Sequence, residues 1–94
     1  MDLAQARSLA VGMIDTSWLV ITHVDEYDVG WVFFYDSIAH QESGEFRDAL
    51  AGNAPILVDR TDGSVHVTGT ARPVAEYIER YRRRDPNDER SWHP

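Results

Sequence analysis

The sequence contains no cysteine and no lysine. Without cysteine there are no disulfides, thiolate nucleophiles or thiolate metal sites, and this fits a reducing compartment. No apolar segment approaches the length that spans a membrane. Residues 1–7 also lack the basic start and apolar run of a secretory signal. We therefore expect a soluble cytoplasmic protein with no membrane partner.

All nine basic residues are arginine, and sixteen acidic residues give a formal charge of −7. This balance argues against nucleic-acid binding, because phosphate contacts need clustered cations. An acidic surface can dock onto a basic partner with rapid, salt-sensitive association. On charge alone we favour a role in solubility, and docking onto a basic partner stays open as the alternative.

The length of 94 residues predicts a single domain. We expect this α+β domain to occupy residues 1–84. Residues 85–94 contain two prolines and an asparagine, which predicts a flexible C-terminal tail.

The strongest local signal is a hairpin around Asp62-Gly63, a turn pair flanked by residues that favour strands. Pro55 can open the first strand, whose apolar run is Ile56 to Val58. Beyond the turn, valines at 65 and 67 alternate with polar residues, as in a strand with one buried face.

Two further strands and two helices complete the prediction. Residues 18–27 and 31–36 are rich in aromatic and β-branched residues around the turn Asp28-Val29-Gly30. Apolar spacing predicts a first helix over residues 2–14, capped by Asp2. A second helix is predicted from Pro73, with an apolar stripe formed by Val74, Tyr77, Ile78 and Tyr81.

The fold class predicted from this order is α+β, a four-stranded antiparallel meander with N- and C-terminal helices packed on it (α-β-β-β-β-α). We expect both helices on one face. Residues 31–36 are apolar on both sides, so either a loop covers the other face or one aromatic row is exposed to a partner. Residues 40–44 are predicted as loop and residues 46–50 as a helical turn, together a flap across one face.

The sequence offers little for catalysis or cofactor binding. Four histidines lack metal-site spacing, although His23 and His66, both on strands, could meet across the sheet. No nucleophile elbow or phosphate-binding glycine loop is present. Asp59 and Asp62 are at a strand end and a turn, where aspartate is ordinary. We therefore predict no catalytic residue, no metal and no cofactor.

Arg60 and Asn53 are polar residues with two possible roles each. Arg60 can pair with a carboxylate of a neighbouring strand or offer its planar guanidinium to a partner. Asn53 can adopt a left-handed conformation or bond its own backbone.

Several strings in the chain resemble a known family. Gly30-Trp31-Val32-Phe33-Phe34-Tyr35 and Ala51-Gly52-Asn53-Ala54-Pro55-Ile56-Leu57-Val58-Asp59-Arg60 are its specific part, followed by Gly63, Gly69-Thr70 and Pro73 to Tyr81. Together they are similar to the YrhB-like domain, also called the immunity protein thirty-five family. The resemblance covers residues 4–81.

This resemblance implies a non-catalytic immunity protein that binds and neutralises a cognate toxin from a bacterial polymorphic-toxin locus. Some family members are instead described as chaperone-like and bind non-native polypeptides. A partner surface would depend on a few side chains, and we expect these to be Trp31, Tyr35, Asn53, Asp59 and Arg60. An acidic inhibitor suits a basic toxin, and exposed edge strands would permit a homodimer.

Overall fold

The computed structural model describes residues 1–44 and 54–84. Within these ranges there are three helices, α1 (Leu3–Val11), α2 (Ile38–Ser43) and α3 (Val74–Arg83). The four strands are β1 (Leu19–Tyr27), β2 (Gly30–Ser37), β3 (Ile56–Asp59) and β4 (Val65–Val67). None of the helices in these ranges is long and apolar enough to cross a membrane.

The strands form one antiparallel sheet in the order β1-β2-β3-β4. Trp31 of β2 lies between Glu26 of β1 and Val58 of β3. The predicted α+β meander with N- and C-terminal helices is therefore confirmed. Edge positions in the sheet are taken by β1 and β4.

Each face of the sheet is covered by a different helix. On the α1 face, Ala6 and Ala10 pack in one buried cluster with Trp31, Phe33, Ile56 and Val58. On the α3 face, Tyr77, Ile78 and Tyr81 pack in another with Val32 and Leu57.

The expectation that both helices lie on one face is therefore wrong. Because β2 and β3 are apolar on both sides, each face needs a cover to exclude water. A helix supplies each cover, rather than the loop or exposed aromatic row that we considered.

Helix α1 begins at the predicted cap. The Asp2 carboxylate accepts a 2.9 Å hydrogen bond from the Gln5 backbone N–H, and the Gln5 side chain accepts one from the Asp2 backbone. This reciprocal capping box satisfies two otherwise unpaired donors. The helix ends at Val11, three residues before the predicted end.

A bulge in β1 changes which side chains share a face. Ile21 lies opposite Tyr35, whereas His23 lies opposite Phe34, so Thr22 is the extra residue. Uninterrupted alternation places Ile21 and His23 on one face, but the bulge places Ile21 on the α1 face and His23 on the α3 face. Side chains of β1 beyond Thr22 therefore lie on the face opposite to the one that simple alternation would give them.

Residues 40–43, predicted as loop, belong to α2. The Ser37 hydroxyl caps this helix by accepting a 3.0 Å hydrogen bond from the His40 N–H. Gly44 ends it in the left-handed conformation at φ 68°. The predicted helical turn at residues 46–50 and the predicted tail at residues 85–94 lie outside the described residues.

The hairpin and the C-terminal helix form where their patterns predict, but the expected buried face of the second hairpin strand is wrong at Val67, which is 47% exposed on the edge strand β4. Gly63 adopts φ 72° in the β3–β4 turn, a conformation that favours glycine. In α3, Tyr77, Ile78 and Tyr81 are buried and Val74 is partly buried. The predicted apolar stripe is therefore the packed side of the helix.

Candidate functional site

Charged residues and both hairpin turns meet at one end of the sheet, which we call the turn end. It contains the β1–β2 turn at Asp28-Val29, residues 60–64, the start of α1 and the last turn of α3. The antiparallel order brings the two turns together, and contacts from Arg82 to Asp28 and from Tyr81 to Asp59 bring α3 to the same place.

Arg60 and Trp31 form the predicted pair that the fold brings into contact. The Arg60 guanidinium lies 4.7 Å from the Trp31 ring centroid. Its Nη2 donates to Glu26 Oε2 at 2.8 Å and to the Tyr27 carbonyl at 2.7 Å. Arg60 therefore pairs with a carboxylate on β1, which it reaches by crossing Trp31 of the intervening strand.

Part of Arg60 nevertheless remains accessible. Its side chain is 35% exposed, and that of Glu26 is 64% exposed. Arg60 Nε is buried and has no hydrogen-bond partner among residues 1–44 and 54–84. The arrangement holds a planar cation on an aromatic ring at the protein surface, a combination suited to a carboxylate or carbonyl of another protein.

Asp59 lies next to Arg60 in sequence, but its side chain is on the opposite face of the sheet. Only 5% of the residue is exposed. Its carboxylate accepts hydrogen bonds from the Tyr81 hydroxyl and, at 2.7 Å, from the Thr61 N–H. Arg84 Nη2 lies 3.6 Å away. These contacts join the end of β3 to α3.

His66 and Ser64 extend this polar group on the α3 face. His66 Nε2 is 2.8 Å from the Ser64 hydroxyl and 3.3 Å from the Tyr81 hydroxyl. Burial, followed by the hydrogen bond to Asp59, raises the pKa of Tyr81 to about 12. Burial, followed by the nearby Arg84 charge, lowers the pKa of His66 from its usual value. Both groups are therefore held neutral near pH 7.

Arg82 connects α3 to the β1–β2 turn. Its Nε donates to both Asp28 carboxylate oxygens at 3.0 and 3.1 Å, and its Nη1 donates to Glu79 at 3.0 Å. The hydrogen bonds from Arg82 lower the pKa of Asp28. The bonds to Asp28 and Glu79 raise the pKa of Arg82. These side chains are solvent-exposed, so the network mainly sets geometry.

The five expected partner-binding residues have different environments. Trp31 is 6% exposed and Asp59 is 5% exposed, so both side chains pack mostly inside the protein. Arg60 and Tyr35 are half-buried. Tyr35 lies four residues from Trp31 on the same face of β2, about 13 Å along the strand. Asn53 lies outside the described residues.

The histidine pair considered as a metal site does not form. His23 is on β1 and His66 is on β4, at opposite edges of the sheet. Three strand spacings, about 14 Å, separate those edges, and His23 instead contacts Asp25 at 2.5 Å. Among residues 1–44 and 54–84, no group of three or more His, Cys, Asp or Glu residues could hold a metal ion.

Sequence reasoning did not anticipate the buried Asp59–Tyr81 contact. Asp59 is at a strand end, where exposed aspartates are common. One signal was available. Alternation places Asp59 on the same side of β3 as Leu57, facing the stripe that contains Tyr81. A polar residue on a covered face needs a hydrogen-bond partner.

These features define a class of small α+β protein in which a helix covers each face of a four-stranded meander and ion pairs cluster at the turn end. The chain belongs to the Immunity protein 35 family, whose sequence model matches residues 6–84. This confirms the family resemblance, and the family name suggests a non-catalytic role.

A comparison with curated proteins agrees with this assignment. The chain is 38% identical over 63 residues to the uncharacterized protein YrhB of Escherichia coli (strain K12). The aligned part covers 67% of each chain. No solved structure matches.

Proposed function

We propose that this protein is an immunity protein that binds and neutralises a cognate bacterial polymorphic toxin without catalysing a reaction. The observation that carries the proposal is the match to the Immunity protein 35 family over residues 6–84. In this proposal the protein acts in the cytoplasm and binds neither nucleic acid nor a membrane.

The proposed interface lies on the α1 face and includes the turn end. Arg60 would contact the toxin directly, because its guanidinium is partly exposed and Trp31 supports it from below. Tyr35 would extend the contact along β2. Asp59 would act by holding the turn that carries Arg60, and Asn53 remains a proposed contact.

Charge supports a basic toxin as the partner. The formal charge of −7 would accelerate association with a positively charged surface and make the rate depend on salt. Occlusion of a cleft by such a surface needs no chemistry from the inhibitor, only affinity and position.

Co-expression tests the proposal. The protein would be purified together with the product encoded immediately upstream of its gene. A stable complex of defined stoichiometry that abolishes toxicity of that product would support the immunity function. Absence of both a complex and rescue would contradict it.

The second candidate is a chaperone-like protein that binds non-native polypeptides. The observation that favours it is the presence of large apolar side chains at the surface, including Met13 at 51% and Trp18 at 48% exposure. Suppression of aggregation of several unfolded clients would support it. No effect on any client would eliminate it.

A homodimer through an edge strand is compatible with either function. Strand β1 is nine residues long and pairs with β2 on one side, and an edge strand can pair with another chain. Sedimentation at several concentrations would distinguish a dimer from a monomer.

A further inference from the structure

Exposed apolar side chains are concentrated near the start of the chain. Seven large apolar residues in the described ranges are exposed, and six of them fall within residues 1–20. Four of the six belong to α1 or its ends: Met1, Leu3, Leu9 and Met13. Helix α1 packs on the sheet through Ala6 and Ala10, so it is apolar on an outer side as well as on its packed side.

An open groove of about 670 Å³ runs between α1 and the β3–β4 turn. Met1, Gln5 and Leu9 line one side, and residues 61–63 line the other. Gln5 and Leu9 share a side of the helix because they are four residues apart, and Met1 lies just before the Asp2 cap. The groove lies next to Arg60, which precedes Thr61 in the same turn.

The side chains of Met1 and Leu9 form the apolar wall of the groove, and they pack against Gly63, which has no side chain. A Cβ added there would lie 2.7 Å from Met1 Cε and 3.7 Å from Leu9 Cδ1. Asp62 adds a carboxylate to the lining. Hydrogen bonds from Ser64 lower the pKa of Asp62, so this group is ionised at neutral pH. The groove is therefore apolar with a fixed negative charge.

Charge is unevenly distributed along the sequence. Residues 72–84 contain five arginines and two glutamates, and they include α3. Residues 1–71 contain eleven acidic residues and three arginines. Residues 72–84 are therefore net basic along the sequence, and residues 1–71, which supply the whole lining of the groove, are net acidic.

We propose that this groove is the docking site for the toxin, and that it receives an apolar side chain surrounded by lysines or arginines on the toxin surface. The apolar wall would bury that side chain, and Asp62 would pair with one of the surrounding cations. The Asp62 carboxylate in the lining, together with the net negative charge of residues 1–71, favours a partner that carries cations at this site. This inference rests on the proposed immunity function and locates its interface.

Binding of the upstream-encoded product by wild-type and variant proteins tests the inference. Leu9→Glu places a charge in the apolar wall at a position that is 39% exposed. Ala75→Glu is the matched control, because it adds the same charge at an exposed position of α3 on the opposite face. We expect Leu9→Glu to raise Kd by about tenfold or more, as for an interface anchor, and Ala75→Glu to change it less than about twofold.

A second variant does not disturb the apolar packing. Asp62→Asn retains an oxygen that can accept the Ser64 N–H bond, which is 2.8 Å long. We expect it to raise Kd by about threefold or more and to reduce the salt dependence of binding. Glu42→Gln, at an exposed position of α2, removes the same charge away from the groove and should leave Kd unchanged.

The outcomes separate the inference from the function on which it rests. If wild-type protein binds and the groove variants bind as tightly as their controls, the groove is not the docking site, although the immunity function stands. If wild-type protein forms no complex and gives no rescue, both the immunity function and the docking site are contradicted. Selective loss in the two folded groove variants supports the docking site.

Discussion

The Tyr81 hydroxyl of α3 donates a hydrogen bond to the carboxylate of Asp59, the last residue of β3. Both residues are buried, Tyr81 at 1% and Asp59 at 5% exposure. The carboxylate also accepts from the Thr61 N–H. This contact joins the C-terminal helix to the turn that carries Arg60, in addition to the backbone hydrogen bonds of Asp59, Arg60 and Gly63 that hold the turn itself.

Tyr81→Phe should lower the free energy of unfolding by about 1–3 kcal/mol, because it leaves a buried acceptor without one of its donors. Urea denaturation measures this loss. Tyr27→Phe is the matched control: Tyr27 is half-buried, and its hydroxyl makes no hydrogen bond to the described part of the chain. The control should change stability by less than about 0.5 kcal/mol. Equal effects of the two variants would contradict a special role for the Tyr81 hydroxyl.

Stability should fall at alkaline pH because Tyr81 holds its proton more tightly in the folded state. Its pKa rises from 10.0 to about 12 on folding. The stabilising contribution is thus complete below pH 10 and is lost as pH rises from 10 to about 12, where the unfolded chain releases the proton first. Unfolding free energies measured across this window should decline more steeply for the wild-type protein than for Tyr81→Phe. Parallel curves would show that another group controls the alkaline transition.

The sequence predicted turns, caps and helix faces correctly where a pattern of a few neighbouring residues determines the local conformation. The Asp62-Gly63 turn requires a residue tolerant of positive φ, and Gly63 adopts φ 72°. The Asp2 cap and the stripe ending at Tyr81 were predicted from spacing alone and are observed. In each case the physical cause lies within a few residues.

Features set by distant contacts were not predictable in the same way. The bulge at Thr22 depends on how β1 aligns with β2, and no residue within β1 marks it. The placement of α1 and α3 on opposite faces depends on covering both sides of β2 and β3. For Arg60 the sequence left two roles open, and the observed contact with Glu26 joins residues 34 positions apart.

Gly30 is a position where the fold leaves no room for a side chain. A Cβ there would lie 2.0 Å from the Val58 carbonyl oxygen and 2.9 Å from its carbon. Because this neighbour is backbone of the paired strand β3, relief requires separating β2 from β3. Gly30→Ala should therefore cost about 3 kcal/mol or more, at the upper end of overpacking effects.

Gly12→Ala is the matched control for Gly30→Ala. Gly12 is in the right-handed helical region, and an added Cβ would have its nearest contact at 3.4 Å. This substitution should be neutral or stabilising by up to about 1 kcal/mol. Thermal and urea unfolding of both variants would check the pair. A stable, fully folded Gly30→Ala protein would contradict the close approach of β2 and β3.

On the proposed immunity function, Arg60→Ala should weaken toxin binding far more than it weakens the fold. The ion pair with Glu26 is partly exposed and is worth about 0–1 kcal/mol, whereas an arginine anchor at an interface changes Kd by about tenfold or more. Arg80→Ala, at an exposed position on α3, removes the same charge on the opposite face and should bind normally.

Arg60→Lys keeps the charge but loses the planar donor set, so its Kd should lie between those of the wild-type protein and Arg60→Ala. Calorimetric titration with the toxin measures all three, and wild-type affinity in a folded Arg60→Ala protein would remove Arg60 from the interface.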